Sequence, residues 1–283
     1  MGTSVPPGLF RGARAIRAIT IAVVGLLAPL SPAHAADTDA VRALGALYSV
    51  ARQMDAAVLD LNMLLGEDQS PAYKTRLDAT LKSLEEAQKA SAAALGTAGV
   101  DGARAGGIAT NINGFIKLMR ENRKTIAATG VPENAVVDDM MLHRKEARKI
   151  IDPLYTELEK RAGLTDSPLS EARALALVLQ QMSALYVETA SAAYGVSNRT
   201  QDASEATIDS LARSFASRLN KLSARAKGTE SATLVHGIES KWRFIEKSML
   251  NYRERTVPFL VDRYTQAIVT DLLKLAEALE RGA

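Results

Sequence analysis

The chain contains no cysteine, and aromatic residues make up only 5% of its 283 positions. Without cysteine it has no disulfides, no c-type haem attachment site, no iron–sulfur ligands and no thiol chemistry. Alternation of apolar and polar residues with a period of two is missing, so no strand is predicted. No Ser/His/acid set, nucleophile elbow or phosphate-binding loop is visible, so we expect neither an enzyme nor a bound cofactor.

The first 35 residues have the features of a secretory signal peptide. Three arginines between positions 11 and 17 precede an apolar run, and Ala33-His34-Ala35 is a small-x-small cleavage site. We therefore expect export by the Sec route, cleavage after Ala35 and a periplasmic mature protein. That mature chain would hold 32 basic and 32 acidic residues, because the leader carries three arginines and no acid. This balance argues against a nucleic-acid partner, and no later segment is apolar enough to span a bilayer.

The rest of the chain is predicted to be helical and to repeat itself. Apolar residues recur at three- and four-residue steps in eight segments, the pattern of amphipathic helices packed in a bundle. Four landmarks of the first half recur in the second: Arg42-Ala43-Leu44 with Arg173-Ala174-Leu175, Leu77 and Leu81 with Leu211 and Phe215, Phe115-Ile116 with Phe244-Ile245, and Val131-Pro132 with Val257-Pro258. The repeat predicts an all-α protein of two consecutive four-helix units from an internal duplication, residues 36–163 and 164–283.

Local residues also predict where helices begin, end or bend. Pro71 suits the first turn of the second helix, Asp101 the cap of the third, and Gly130 its end. Pro153 predicts a kink or a restart within the fourth helix, because proline removes a backbone donor and clashes with the preceding turn.

Two polar pairs beside apolar stripes are candidate ligand-binding residues. Arg52-Gln53 lies in the first helix and Gln180-Gln181 in the fifth, each directly before a methionine. A buried amide without a partner is unfavourable, so an inward glutamine could hydrogen-bond a small polar ligand. An inward guanidinium suits a small planar anion, because it presents parallel donors. The alternative is that these are boundary residues with solvated ends.

Tyr186 and Trp242 complete the predicted ligand-binding set. Tyr186 follows the glutamine pair on the same helix, and Trp242, the only tryptophan, would supply an aromatic wall. A lone tryptophan on an apolar stripe is also typical of an ordinary core residue.

Histidine is scarce: the mature chain has His143 and His236, each followed three residues later by a glutamate. Residues three apart share a helix face, so each pair could offer two metal ligands. His236 with Glu239, near Trp242, is weakly similar to the histidine–glutamate motif of imelysin-like periplasmic proteins. Because two-residue motifs recur by chance, we predict surface contacts and no metal site, and keep a metal-dependent role as an alternative.

The second half resembles the PilJ-type domain, the periplasmic sensing domain of type IV pili methyl-accepting chemotaxis transducers. The resemblance rests on Leu179–Tyr186, on Phe215 with two following leucines, and on Ile238–Trp242. It covers about residues 171–279 and, more weakly, the first half. The family has a Gln-Arg-Met step on its first helix. Here Gln181 stands at the position of that arginine. In the first half of the chain, Arg52 is the candidate for the role of the family's arginine.

The resemblance implies an all-helical ligand sensor, similar to nitrate- and nitrite-sensing helical bundles. Family members are tethered by transmembrane helices to signalling modules, so this chain would be a free-standing periplasmic version linked to type IV pili or chemotaxis-like signalling. The expected partners are a small polar or anionic ligand and an envelope protein. A purely structural envelope protein without a small ligand is the remaining alternative.

Overall fold

The computed structural model describes residues 37–66, 69–192, 207–252, 254 and 256–281, and the predicted leader with its cleavage site lies outside them. All regular structure in these ranges is α-helix, which confirms the all-α prediction. The helices are α1 (Thr38–Gly66), α2 (Pro71–Thr97), α3 (Gly102–Thr129), α4 (Asn134–Arg161), α5 (Pro168–Ala192), α6 (Ile208–Ala226), α7 (Ala232–Leu250) and α8 (Pro258–Arg281). Within the described ranges, none of them is both long and apolar enough to cross a membrane.

The predicted helix boundaries follow local chemistry. Pro71 occupies the first turn of α2. The side chain of Asp101 accepts hydrogen bonds from the backbone N–H groups of Ala103 and Arg104, at 3.1 and 3.2 Å, and so caps α3. Gly130 ends α3 in the left-handed region at φ 85°, where a side chain would be strained.

α4 continues through Pro153 as one helix and does not restart there. Pro153 is exposed, so the carbonyl group that loses its helical partner faces solvent. A solvent-facing proline leaves the packed side of the helix uninterrupted.

The first four helices pack as a ring of antiparallel neighbours, α1 with α2, α2 with α3, α3 with α4, and α4 with α1. Thr80 of α2 donates a 2.6 Å hydrogen bond to Asp60 of α1. Arg144 of α4 lies 2.6 Å from Asp55 of α1. The last four helices also form a ring, in which α5 packs on α6 and α8, and α7 on α6 and α8.

The two rings share the contact between α1 and α5. Gly45 lies beside Arg173 early in both helices, and Asn62 donates a 3.3 Å hydrogen bond to the carbonyl of Ala184 late in both. The two helices therefore run parallel. Because α2, α4, α5 and α8 all contact α1, its buried residues lie on every side, including Leu44, Leu47, Val50, Met54 and Leu59.

Two of the repeat landmarks differ in burial. The side chain of Arg42 is 61% exposed, whereas that of Arg173 is 5% exposed. Phe115 is fully buried, whereas Phe244 is 55% exposed and stacks on Tyr264 at the surface. The sequence matches of Arg42 with Arg173 and of Phe115 with Phe244 therefore do not identify structurally equivalent positions.

Candidate ligand-binding site

Five polar side chains meet where α1, α4, α5 and α8 come together, and we call them the junction cluster: Tyr48, Arg52, Tyr155, Arg173 and Glu280. The ring of Tyr48 lies 5.5 Å from the guanidinium carbon of Arg173. The charges of both arginines and of Glu280 act on the phenol of Tyr48, and Arg173 acts on that of Tyr155. The cluster thus draws groups from both rings of helices.

Arg173 is the buried centre of the cluster. It lies on the apolar stripe of α5, with Leu169 four residues before it and Ala176 three residues after it. Gly45 of α1 lies against it, since a Cβ at that position would be in ordinary van der Waals contact, 3.5 Å, with one guanidinium nitrogen. Nη2 donates to the carboxylate of Glu280. Nη1 is buried and has no acceptor among the described residues.

Arg52 lies one helical turn after Tyr48 and is half-buried. Burial lowers the pKa of the Arg52 guanidinium, and the neighbouring Tyr48 phenol partly opposes that shift. Arg52 makes no hydrogen bond or ion pair within the described part of the chain. Its nitrogens are not among the buried unpaired atoms, so the guanidinium lies at the edge of the cluster, where it reaches solvent and can meet an anion.

The two tyrosines are neutral donors at physiological pH. Burial raises the pKa of Tyr48 to about 12. Burial also raises the pKa of Tyr155, against the opposing charge of Arg173. The hydroxyl of Tyr155 is buried beside Arg173 but makes no hydrogen bond of acceptable geometry among the described residues. Tyr48 thus has Arg52 one turn later on its own helix and Arg173 5.5 Å from its ring, and Tyr155 lies beside Arg173. Guanidinium and phenol groups are the donors from which small-anion sites are built.

The predicted glutamines lie in different environments. Gln180 is fully buried on α5, about two helical turns beyond Arg173, and its Oε1 has no donor among the described residues. Gln53 and Gln181 are half-buried. Of these three, Gln180 alone is an orphaned polar group of the kind that binds a ligand or an internal water.

Tyr186 and Trp242 pack in the second ring of helices. The Tyr186 hydroxyl accepts a 2.8 Å hydrogen bond from the backbone N–H of Val257, which ties α5 to the start of α8. Trp242 of α7 packs against Phe215 of α6 with ring centroids 4.5 Å apart. Its indole N–H is buried without an acceptor in the described ranges. Within the described part of the chain, both aromatics contribute to helix packing, and neither contacts Arg52.

The histidines lie apart from this cluster. His143 of α4 packs on Gly114 of α3, and its Nδ1 lies 3.1 Å from Asn111 Oδ1. His236 is 75% exposed and lies 3.8 Å from Glu239. Among the described residues no three His, Cys, Asp or Glu side chains converge as metal ligands.

A second polar cluster, the carboxylate clasp, consists of Asp60, Arg76 and Asp262 with Tyr73 and Thr80. Arg76 donates two hydrogen bonds to Asp262, at 2.7 and 3.0 Å. Its Nε lies 2.6 Å from Asp60 Oδ1 but without hydrogen-bond alignment. Tyr73 and Thr80 donate to the two carboxylates. The clasp joins α2 of the first ring to α8 of the second.

One cation in the clasp faces two buried carboxylates. Burial raises the pKa of Asp60, and the charge of Arg76 only partly opposes that shift. Burial alone would lower the pKa of Arg76, but its hydrogen bonds to Asp262 and the two negative charges raise it overall. We conclude that Asp262 is the main ion-pair partner of Arg76 and that Asp60 is where a proton binds most readily. The clasp pairs its one cation with its own two carboxylates and ties α2 to α8, so we assign it a structural role.

Sequence reasoning found Arg52 but missed Tyr48, Tyr155, Arg173 and Glu280. Arg173 was detectable, because it is a charged residue in phase with the apolar stripe of α5. Glu280 was not, because nothing local distinguishes it from other charged residues of an exposed helix end.

Comparison with family models, curated proteins and solved structures found no match.

Proposed function

We propose that this chain is an exported, non-enzymatic ligand-binding module of the PilJ-like kind, and that it binds a small anion at the junction cluster. The observation that carries the proposal is Arg52, a partly buried guanidinium without a counter-charge in the described part of the chain. It lies next to Tyr48, and Tyr48 in turn lies beside Arg173, whose Nη1 is an orphaned donor. Bundle proteins commonly build their sites from side chains of facing helices.

We further propose that the two rings arose by duplication of one four-helix unit. Both rings have the same sequence of neighbours. A spacing of 128 residues pairs fully buried Leu47 with Leu175 and Met54 with Met182 in α1 and α5. The same spacing pairs Gly45 with Arg173, which face each other across the parallel helices.

From the sequence alone, we also propose that the protein is exported to the periplasm and that its leader is cleaved. A soluble anion in that compartment would reach the module directly, and signalling would then require an envelope partner. The test is to sequence the N-terminus of the exported protein, which should begin at residue 36.

Anion binding is tested by thermal denaturation with formate, acetate, nitrate and phosphate at constant ionic strength. We expect at least one of them to raise the melting temperature of the wild type in a saturable manner. Arg52→Gln should lose that increase. Arg42→Gln is the matched control, because Arg42 is on the same helix, carries the same charge and pairs only with the exposed Asp39.

Equal responses of both variants and the wild type would mean a general salt effect. The absence of a saturable response to any anion would favour the structural envelope role. Among the described residues, the surroundings of His236 do not support a metal-dependent role. Metal analysis of the purified protein tests that alternative.

A further inference from the structure

We propose that Glu280 is an internal competitor of the ligand: its carboxylate occupies Arg173, and a small carboxylate anion binds by displacing it and releasing the last turn of α8. This inference rests on the anion site proposed above and adds the class of ligand and its consequence for the fold.

Glu280 accepts a hydrogen bond from only one of the two terminal nitrogens of Arg173. Its Oε1 accepts from Nη2, while Nη1 is buried without a well-aligned acceptor among the described residues and Arg173 lies within reach of the Tyr155 hydroxyl. A guanidinium binds a carboxylate best through two parallel hydrogen bonds. A free carboxylate could bridge Nη1 and Nη2 and also receive hydrogen bonds from the phenols of Tyr48 and Tyr155, neither of which donates to Glu280 within the described part of the chain.

The two partners differ sharply in exposure. The Arg173 side chain is 5% exposed, whereas that of Glu280 is 44% exposed. The carboxylate therefore reaches a buried cation from the solvent side, along the direction in which a ligand from solution would enter.

The position of Glu280 makes it easy to displace. It lies in the last turn of α8, where the helix dipole places partial negative charge and disfavours a carboxylate. The last turn of a helix also leaves four carbonyl groups without helical partners. The ion pair with Arg173 is thus the main interaction that holds this carboxylate in place, and the turn is free to loosen when the pair breaks.

The internal carboxylate identifies the class of ligand. The groups around Arg173 already accept a monovalent carboxylate of a side chain, so a small monocarboxylate carries the matching charge and geometry. A divalent anion would have to be more heavily desolvated at the same buried cation. Formate is the smallest probe of this class.

The experiment is isothermal titration of the full-length mature protein with formate, for the wild type, Glu280→Gln and Glu277→Gln. Glu277 is exposed and lies one turn earlier on α8, so its variant makes the same charge change without touching Arg173. We expect Glu280→Gln to bind formate about tenfold more tightly than the wild type, the size of one charge-assisted hydrogen bond. Glu277→Gln should bind as the wild type does.

Hydrogen exchange supplies the second readout. Formate should accelerate exchange of backbone amides in the last turn of wild-type α8, and should have no such effect in Glu280→Gln, where that turn is already released. Equal formate affinities of wild type and Glu280→Gln, with binding still lost in Arg52→Gln, would refute the competitor role and leave the anion site intact. If neither protein binds any of the four anions, the proposed function itself is wrong.

Discussion

Two glycines of α3, Gly106 and Gly114, provide a test of how α3 packs against α4. An ideal Cβ placed on Gly114 would lie 2.5 to 2.7 Å from three atoms of the His143 ring, closer than real contacts allow. A Cβ on Gly106, eight residues earlier, would meet nothing within 4 Å. The same substitution to alanine should therefore have opposite effects at the two positions.

The magnitudes follow from two opposing terms. Alanine in place of glycine inside a helix stabilises by about 1 kcal/mol. At Gly114 the ring of His143 must move, which costs roughly 1–3 kcal/mol of overpacking and breaks its contact with Asn111 at about 1 kcal/mol. We expect Gly106→Ala to raise the free energy of unfolding by about 0.5–1 kcal/mol. Gly114→Ala should lower it by roughly 1–3 kcal/mol.

Urea denaturation followed by circular dichroism measures both changes, and His143→Ala supplies the control. In that background no ring remains for the new methyl group to meet. Gly114→Ala should then behave as Gly106→Ala does, giving a coupling energy of about 3 kcal/mol. If Gly114→Ala stabilises the otherwise unchanged protein as Gly106→Ala does, the described packing of His143 is wrong.

Two further predictions concern pH. The folded state raises the pKa of Asp60 above 3.8, so its contribution favours folding in acid and is lost as pH rises through the folded value. Urea unfolding from pH 4 to 7 should therefore show Asp60→Asn gaining stability relative to the wild type, and a constant difference would contradict the assignment. Burial raises the pKa of Tyr48 from 10.0 to about 12, so its contribution is present below pH 10 and lost between 10 and 12. Tyr48→Phe should remove that loss, together with one late step of the tyrosinate absorbance titration.

Helices, their ends and their buried faces could be predicted because they depend on neighbouring residues. The stripes of α1 and α5, the cap at Asp101 and the stop at Gly130 were all accessible in this way. Of the kink or restart predicted at Pro153, the restart is absent, because the effect of a proline depends on which face of α4 meets solvent. That face is set by packing against α1 and α3, which periodicity alone does not specify.

The site depended on longer-range information. Arg42-Ala43-Leu44 and Arg173-Ala174-Leu175 are locally alike, yet one arginine faces solvent and the other is buried. The difference arises because α5 packs on α1 with Arg173 against Gly45, whereas Arg42 lies at the surface beside the exposed Asp39. Periodicity identifies the face of a helix but not the helix that covers it, so Glu280, more than a hundred residues away, could not be found.

The pairing of Gly45 with Arg173 also bears on how many anions one chain binds. In a duplicated protein whose first helices run parallel, equivalent positions face each other, and two guanidinium groups there would repel in a buried space. Glycine at one of the two positions avoids that repulsion, so the proposed duplication would yield a single site shared by both rings. We expect a stoichiometry of one anion per chain in the formate titration. Two equivalent sites per chain would mean that each four-helix unit binds on its own and that the junction between α1 and α5 is not the site.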